Sequence, residues 1–221
     1  MKRVALLSGI GLLAVIWAGP LLGPSPGSFA AHMLSHMGVV AIAAPLLAVG
    51  ISGTRLDFCR ALLPARAGAD RTAAFALPIL ASLVELMIVW AWHAPIMRAL
   101  AQATVLAAVI EQASFLAAGL FLWLACIGTG AKGSTHQGIA GAFGLLLTSI
   151  HMTLLGALLA LAPRPLYGLT TTTCLGLELG PQEDQVLGGV IMLSIGAVVY
   201  LAGGVVLLGR AIQVHGREAA R

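Results

Sequence analysis

The sequence predicts an all-α membrane protein: one domain of 221 residues, a polytopic bundle of six transmembrane helices with both termini in the cytoplasm. Composition is the first indication, because 59% of the residues are hydrophobic and 9% are charged. Soluble domains average about 45–50% and about 25%. The second indication is a series of six long apolar segments, and the third is a one-sided distribution of positive charge. The net charge of +4 therefore reflects membrane orientation rather than nucleic-acid binding.

Each apolar segment approaches or exceeds about 20 residues, the length of helix that crosses a bilayer. The predicted helices cover residues 4–22, 29–50, 72–92, 99–127, 138–162 and 185–208. The first follows Lys2 and Arg3, a pattern that a signal peptide also has. Its apolar run is longer than the usual signal-peptide core of about 7–15 residues. We therefore expect a retained helix and keep cleavage as the alternative.

Positive charges predict the orientation of the bundle. Of the 12 Lys and Arg residues, two lie on one side of the predicted bundle, Arg98 and Arg164, which leaves ten on the other. The ten are Lys2, Arg3, Arg55, Arg60, Arg66, Arg71, Lys132, Arg210, Arg217 and Arg221. Because cytoplasmic loops carry the excess of Lys and Arg, both termini are predicted to be cytoplasmic.

The second predicted helix carries two histidines, His32 and His36, near its start. Residues four apart lie on one face of a helix, and Met33 and Met37 repeat the spacing one position further on. Ionisable side chains within a membrane helix usually turn inward, toward partners or a cavity. Copper(I) prefers imidazole and thioether ligands. This end of the helix is therefore predicted to be half of a metal site.

Other polar residues are predicted at a similar depth. His93 ends the third helix, and His151 lies roughly 16 Å below the outer end of the fifth, at about 1.5 Å per residue. The predicted ligands are His32, His36, His93 and His151, with Met33, Met37, Met152, Glu111 and Asp184 as further ligands or orienting groups. Other interpretations stay open: methionines often fill cores, Asp184 is typical of a helix N-terminal cap, and His151 is suited to pairing with Glu85 or Glu111.

Five motifs occur in order between residues 29 and 208. They are His32-Met33 and His36-Met37 with Ala44-Pro45-Leu46-Leu47, then Trp92-His93-Ala94-Pro95, His151-Met152, Ala162-Pro163-Arg164-Pro165-Leu166-Tyr167, and Glu183-Asp184-Gln185 with Gly188-Gly189. With these motifs the chain resembles the membrane-embedded CtaG-type cytochrome c oxidase assembly factors. One departure is Glu111-Gln112, where that family usually has Glu-His.

The resemblance implies a multi-pass protein of the bacterial inner membrane that helps to mature a haem–copper oxidase. It would do so by binding or delivering copper, as Cu(I), on the periplasmic side. Copper is then the expected cofactor. The expected partners are oxidase subunits or another copper chaperone, together with membrane lipid and without nucleic acid.

Three other functions would each need particular sequence features. A metal-ion permease would need polar residues that continue to the cytoplasmic face, and few follow beyond Glu111. A b-type cytochrome would bind haem through His93 and His151. An intramembrane zinc protease would need H-E-x-x-H, but Met33 stands in the second position. Neither G-x-S-x-G nor a phosphate-binding loop occurs, so the sequence predicts no catalysis.

Overall fold

The computed structural model describes residues 1–18, 28–62, 71–128, 135–168, 170–174 and 176–219. Their helices are α1 Lys2–Ala18, α2 Phe29–Met37, a π-helical segment Gly38–Ala43, α3 Ala44–Ile51, α4 Cys59–Leu62, α5 Arg71–His93, α6 Pro95–Ala103, α7 Val105–Ile127, α8 Thr135–Ala160 and α9 Pro181–Ala219. Two short strands, β1 Thr172–Cys174 and β2 Leu177–Leu179, pair antiparallel. α2, the π-helical segment and α3 run on as one helix.

Among the described residues, five helices are long and apolar enough to cross a membrane. They are Phe29–Ile51, Ala74–His93, Val105–Ile127, Thr135–Ala160 and Pro181–Gly216. The prediction of an all-α, multi-pass membrane bundle is confirmed at this level. The first predicted helix is present as α1, which has 17 residues. Positions 19–22, its predicted end, lie outside the described residues.

α1 packs antiparallel against the helix Phe29–Ile51. A Cβ atom on Gly9 would lie 2.9 Å from the Leu47 side chain, and one on Gly50 would lie 2.7 Å from Leu6 Cβ. Small residues allow membrane helices to approach this closely. At the start of α1, Lys2 Nζ donates a hydrogen bond to the carbonyl oxygen of Ser52, at 2.7 Å. α1 is therefore an integral part of the bundle.

α8 and α9 pack in close backbone contact where α8 ends and α9 begins. A Cβ on Gly189 would lie 2.7 Å from both the backbone nitrogen of Ala160 and the carbonyl oxygen of Gly156. In return, a Cβ on Gly156 would lie 2.9 Å from the carbonyl oxygen of Gly189. The two backbones therefore touch, and glycine is required on each side because no side chain fits between them.

The bundle has two chemically different ends. At the first, which we call the basic end, Lys2 contacts Ser52 and Gly138 packs against Ala211. At the other, the histidine end, α2 begins, α5 ends and α9 begins. The helix directions predicted for the second, third and sixth helices agree with this arrangement, because the second and sixth begin at the histidine end and the third ends there. Three of the predicted cytoplasmic charges lie outside the described residues, Arg66, Lys132 and Arg221.

The predicted fourth helix, residues 99–127, is wrong at its start. Its first five residues belong to α6, and the backbone breaks at Thr104, whose φ of −141° and ψ of 140° are extended. The Thr104 hydroxyl accepts a hydrogen bond from the Ala107 N–H at 3.2 Å and so caps α7. One threonine within an apolar run hides this break from a hydropathy pattern.

The predicted sixth helix, residues 185–208, is too short at both ends. α9 begins at Pro181, a residue suited to a first helical turn, and runs to Ala219. The Glu183 carboxylate accepts a hydrogen bond from the Gly180 N–H at 2.9 Å, as in a capping box. The preceding segment, predicted as a loop, contains the β1–β2 hairpin, and Gly176 in its turn has a φ of 83°. The predicted fifth helix, 138–162, is shifted to Thr135–Ala160.

Candidate functional site

Asp184 fixes the start of the histidine-bearing helix α2. Its carboxylate accepts hydrogen bonds from the N–H groups of Phe29 and Ala30, at 2.6 and 3.0 Å, and from the Ser28 hydroxyl at 2.8 Å. The Ser28 hydroxyl also accepts from the Ala31 N–H at 3.2 Å. The side chains of Asp184 on α9 and of Ser28, the residue just before α2, thus satisfy the first three N–H groups of α2, which a helix leaves without internal partners.

The expectation that Asp184 caps its own helix is wrong. α9 begins three residues earlier, so Asp184 lies inside it and caps α2 instead. A carboxylate also stabilises the positive end of the α2 dipole. The sequence could not reveal this role, because the donors lie about 155 positions away. Both carboxylate oxygens of Asp184 accept hydrogen bonds, so this residue is suited to holding α2 in position rather than to binding a metal ion.

Three of the four predicted histidine ligands meet around Phe115, and we call them the histidine cluster: His32, His36 and His93. The ring centroids of His36 and His93 are 5.3 Å apart. Phe115 lies 4.1 Å from the His36 ring and 6.4 and 6.5 Å from the rings of His93 and His32. The predicted convergence of α2 and α5 at this depth is therefore present.

His93 directs a lone pair at a thioether. Its Nδ1 lies 2.6 Å from the carbonyl oxygen of Val89. Since a carbonyl only accepts, Nδ1 carries the hydrogen, and Nε2 of the neutral ring is left with a lone pair. Nε2 lies 3.5 Å from Met33 Sδ, which also has only lone pairs. Two soft metal-ligand atoms therefore face each other without a proton between them.

His36 is the least satisfied side chain of the histidine cluster. Its residue is fully buried, and neither ring nitrogen has a hydrogen-bonding partner among the described residues. A buried polar group without a partner is costly, and such groups are rare in folded proteins. An additional ligand between His36 and His93 would remove this cost.

His32 is engaged differently, in a buried group with Arg98 and Glu111. The Arg98 guanidinium donates a hydrogen bond to His32 Nδ1 at 3.1 Å. His32 Nε2 lies 3.5 Å from Glu111 Oε1, and Arg98 Nη1 lies 3.9 Å from the same oxygen. His32 therefore offers no free nitrogen to a metal while Arg98 holds this position.

The position of Arg98 differs from the sequence-based expectation, which places it among the charges on the outer side of the bundle. Arg98 is buried, with 8% of its surface exposed, because the short helix α6 turns it toward α2 and α7. Burial lowers the pKa of the guanidinium, whereas the nearby Glu111 carboxylate raises it. The amphipathic pattern of residues 95–103, in which Arg98 is the one charged residue, is the sequence feature that could have indicated a separate helix with Arg98 on one face.

Tyr167 covers the histidine end from the α8–β1 connection. Its hydroxyl donates a hydrogen bond to the carbonyl oxygen of His93 at 2.5 Å, and its ring stacks on Phe29 with centroids 4.4 Å apart. Burial raises the pKa of Tyr167 to about 12, while Arg98 lowers it. The hydroxyl therefore stays protonated at neutral pH and remains a donor.

The fourth predicted histidine ligand, His151, makes no ring contact with the histidine cluster among the described residues. Its side chain is buried on α8, and neither ring nitrogen has a hydrogen-bonding partner among the described residues, so pairing with Glu85 or Glu111 is absent there. Met152 of α8 and Met37 of α2 lie further from the histidine end than the histidine cluster does. Both pack against Gly196 of α9. Gln112, which stands where a histidine was expected from the resemblance, is buried next to Glu111.

Two further polar contacts lie deeper in the bundle. The Tyr200 hydroxyl donates to Glu85 Oε1 at 3.0 Å, and the hydroxyls of Ser82 and Thr148 are 2.9 Å apart. Glu85 thus meets tyrosine rather than histidine. These contacts tie α5 to α9 and to α8, and satisfy polar groups that lipid could not.

The chemistry of the side chains at the histidine end decides which metal ion they fit. Within the described ranges, no group of three or more His, Cys, Asp and Glu side chains is arranged to hold one. The donor set that faces inward is instead two imidazoles and one thioether. Nitrogen and sulfur ligands of a tetrahedral ion, at about 2.0 and 2.3 Å, lie about 3.5 Å apart. The separation of His93 Nε2 and Met33 Sδ fits that value.

Comparison with known proteins agrees with the motifs. The family model described as cytochrome c oxidase caa3 assembly factor (Caa3_CtaG) matches residues 1–213. No curated protein and no solved structure matches the chain at a significant level. The family match covers α1 and every later helix except the last turns of α9. The chain therefore belongs to the family of cytochrome c oxidase caa3 assembly factors.

Proposed function

We propose that this assembly factor binds Cu(I) between His36, His93 and Met33 and supplies it to a haem–copper oxidase subunit or to another copper chaperone. The observation that carries the proposal is the 3.5 Å separation of the His93 Nε2 and Met33 Sδ lone pairs. The unpartnered imidazole of His36, 5.3 Å away by ring centroid, supplies the third donor. Imidazole and thioether are the ligand types that select Cu(I).

The proposed membrane arrangement has six spanning helices, with α1 as the first, in a bacterial inner membrane. Support comes from the packing of α1 along Phe29–Ile51 and from the position of Lys2 at the basic end. With that end cytoplasmic, the histidine cluster would lie on the periplasmic side of the bundle, where the oxidase would receive copper. A fusion of green fluorescent protein to the C-terminus checks the orientation, because it fluoresces only if that terminus is cytoplasmic.

The role requires no catalysis by this chain. Binding and release of an ion need ligands that can exchange, and the described residues offer soft, neutral donors for that purpose. His32 would enter only if Arg98 moved away. Glu111 and Asp184 would act through other residues, since Glu111 lies beside His32 and Arg98, and Asp184 holds α2.

Replacement of both His36 and His93 by alanine is expected to reduce Cu(I) affinity by about 100-fold or more. Loss of an outer-shell partner alone costs about 10- to 100-fold in metal sites, and this change removes two ligands. The affinity is measured on the detergent-purified chain, without oxygen, by competition with a Cu(I) chelator. Oxidase activity in a deletion strain that carries the variant should fall in parallel.

His215→Ala is the matched control, because His215 is exposed near the end of α9 and its replacement should change neither measurement. Equal Cu(I) affinity in the double variant and the wild type would contradict the proposal. A Soret band in the purified protein would favour haem, the alternative cofactor. Ion flux through proteoliposomes would favour the metal-ion permease.

Arg98→Gln is expected to raise Cu(I) affinity about tenfold. The change removes a buried cation and frees His32 Nδ1, to which Arg98 now donates. The electrostatic repulsion between the Arg98 charge and a Cu(I) ion one or two side chains away is about 1–2 kcal/mol at an effective dielectric constant near 20. The same chelator competition measures it. Arg164→Gln, at an exposed arginine near the same end, should leave the affinity unchanged, and an unchanged or lower affinity in Arg98→Gln would refute this role.

A further inference from the structure

We infer that the bundle holds a second Cu(I) subsite made only of thioethers, formed by Met37, Met152 and Met192, which we call the methionine cluster. This inference rests on the proposed function, because the subsite would take copper from the histidine cluster. It lies deeper in the bundle and gives the ion a second resting place.

The geometry around Gly196 brings two of these methionines together. A Cβ on Gly196 would lie 3.5 Å from Met37 Cε and 3.2 Å from Met152 Cβ. α2 and α8 therefore both direct a methionine at the one position where α9 has no side chain. The space that a larger residue would fill at 196 is left to the thioethers.

Met192 completes the cluster from α9. Residues four apart share a helix face, so Met192 lies between Gly188 and Gly196 on the face that meets α2. Gly188 packs against Met33, since a Cβ there would lie 3.1 Å from Met33 Cγ. Met33, whose sulfur faces His93, thus lies on the side of the methionine cluster that is nearer to the histidine end.

The distribution of methionine distinguishes this cluster from ordinary core packing. The chain has seven methionines, and four of them, Met33, Met37, Met152 and Met192, are fully buried on the three helices that pack together at Gly188 and Gly196. Elsewhere the described core consists mainly of Leu, Val, Ala and Phe. Thioethers bind soft Cu(I) and not hard cations, so the concentration of sulfur has a chemical consequence that a leucine core lacks.

The position of Met37 connects the two subsites. It directly follows His36 in the sequence and lies one helical turn beyond Met33 on the same face. An ion held by His93, Met33 and His36 would therefore find its next sulfur ligand about 6 Å further along α2, at about 1.5 Å per residue.

The test is a triple replacement, Met37→Leu, Met152→Leu and Met192→Leu, because leucine keeps the volume and removes the sulfur. The purified full-length chain is titrated with Cu(I) against a competing chelator, and the bound ion is examined by X-ray absorption. We expect two bound Cu(I) ions in the wild type, one with sulfur ligands only. The triple variant should retain one ion, without the sulfur-only environment.

Met87→Leu is the control, because Met87 is 65% exposed on the outer surface of α5, and it should bind two ions. If the triple variant does not fold, Met37→Leu and Met152→Leu singly should each weaken the second ion at least tenfold. Wild-type stoichiometry in these variants would overturn the methionine subsite. If His36→Ala/His93→Ala alone removes all bound copper, only the methionine subsite fails. If that variant retains all of it and the triple variant loses it, the proposed histidine site fails instead.

Discussion

Asp184→Ala is expected to lower the free energy of unfolding by about 3–5 kcal/mol and to weaken copper binding with it. The change leaves three donors at the start of α2 without an acceptor. Buried donors left unpaired cost about 1–3 kcal/mol each, and bonds to charged groups are the strongest of this kind. Since α2 carries His32, Met33 and His36, its displacement also moves the proposed ligands. Thermal unfolding in detergent and Cu(I) competition measure the two effects.

Asp184→Asn should fall between the wild type and Asp184→Ala, because the amide retains one acceptor oxygen. The adjacent Glu183 is a close control: it is exposed and accepts one hydrogen bond, from the Gly180 N–H. Glu183→Ala should cost at most about 1 kcal/mol, as the loss of a helix cap does. If Asp184→Ala is as stable as Glu183→Ala, the carboxylate does not hold α2 in place.

Gly189→Val is expected to destabilise the bundle by at least about 3 kcal/mol, more than a typical overpacked core position. Its Cβ would lie 2.7 Å from two backbone atoms, the nitrogen of Ala160 and the oxygen of Gly156, neither of which can rotate away. α8 and α9 must then separate, which also pulls Met152 from Gly196. The measurement is thermal unfolding of the detergent-purified variant, followed by its tryptophan fluorescence.

Gly209→Val is the matched control on the same helix. A Cβ on Gly209 meets no other atom within 4 Å, and valine is a somewhat better helix former than glycine. The unfolding temperature of this variant should equal or exceed that of the wild type. Should Gly189→Val unfold at the same temperature as Gly209→Val, the close contact of α8 and α9 is not needed for stability.

The proposed site was predicted in part from the sequence. His32, Met33 and His36 could be placed on one helix face because helical periodicity is a local property, and His93 could be placed at their depth by counting residues. The burial of Arg98 could not be predicted, because a charge three residues after a proline resembles an external loop until α6 is packed against α7. The partners of Asp184 and Tyr167 lie far away in the sequence, and no local pattern encodes them.

The sequence by itself determined that this chain is a helical membrane protein, where five of its spanning helices lie and which family it belongs to. Apolar length and short motifs carry that information along the chain, residue by residue. Only the tertiary structure decided which polar groups meet: His93 with Met33, Arg98 with His32, Asp184 with the start of α2, and Glu85 with Tyr200. The reason is that a buried polar group needs a partner, and which of several candidates becomes that partner depends on the register and rotation of helices packed against one another.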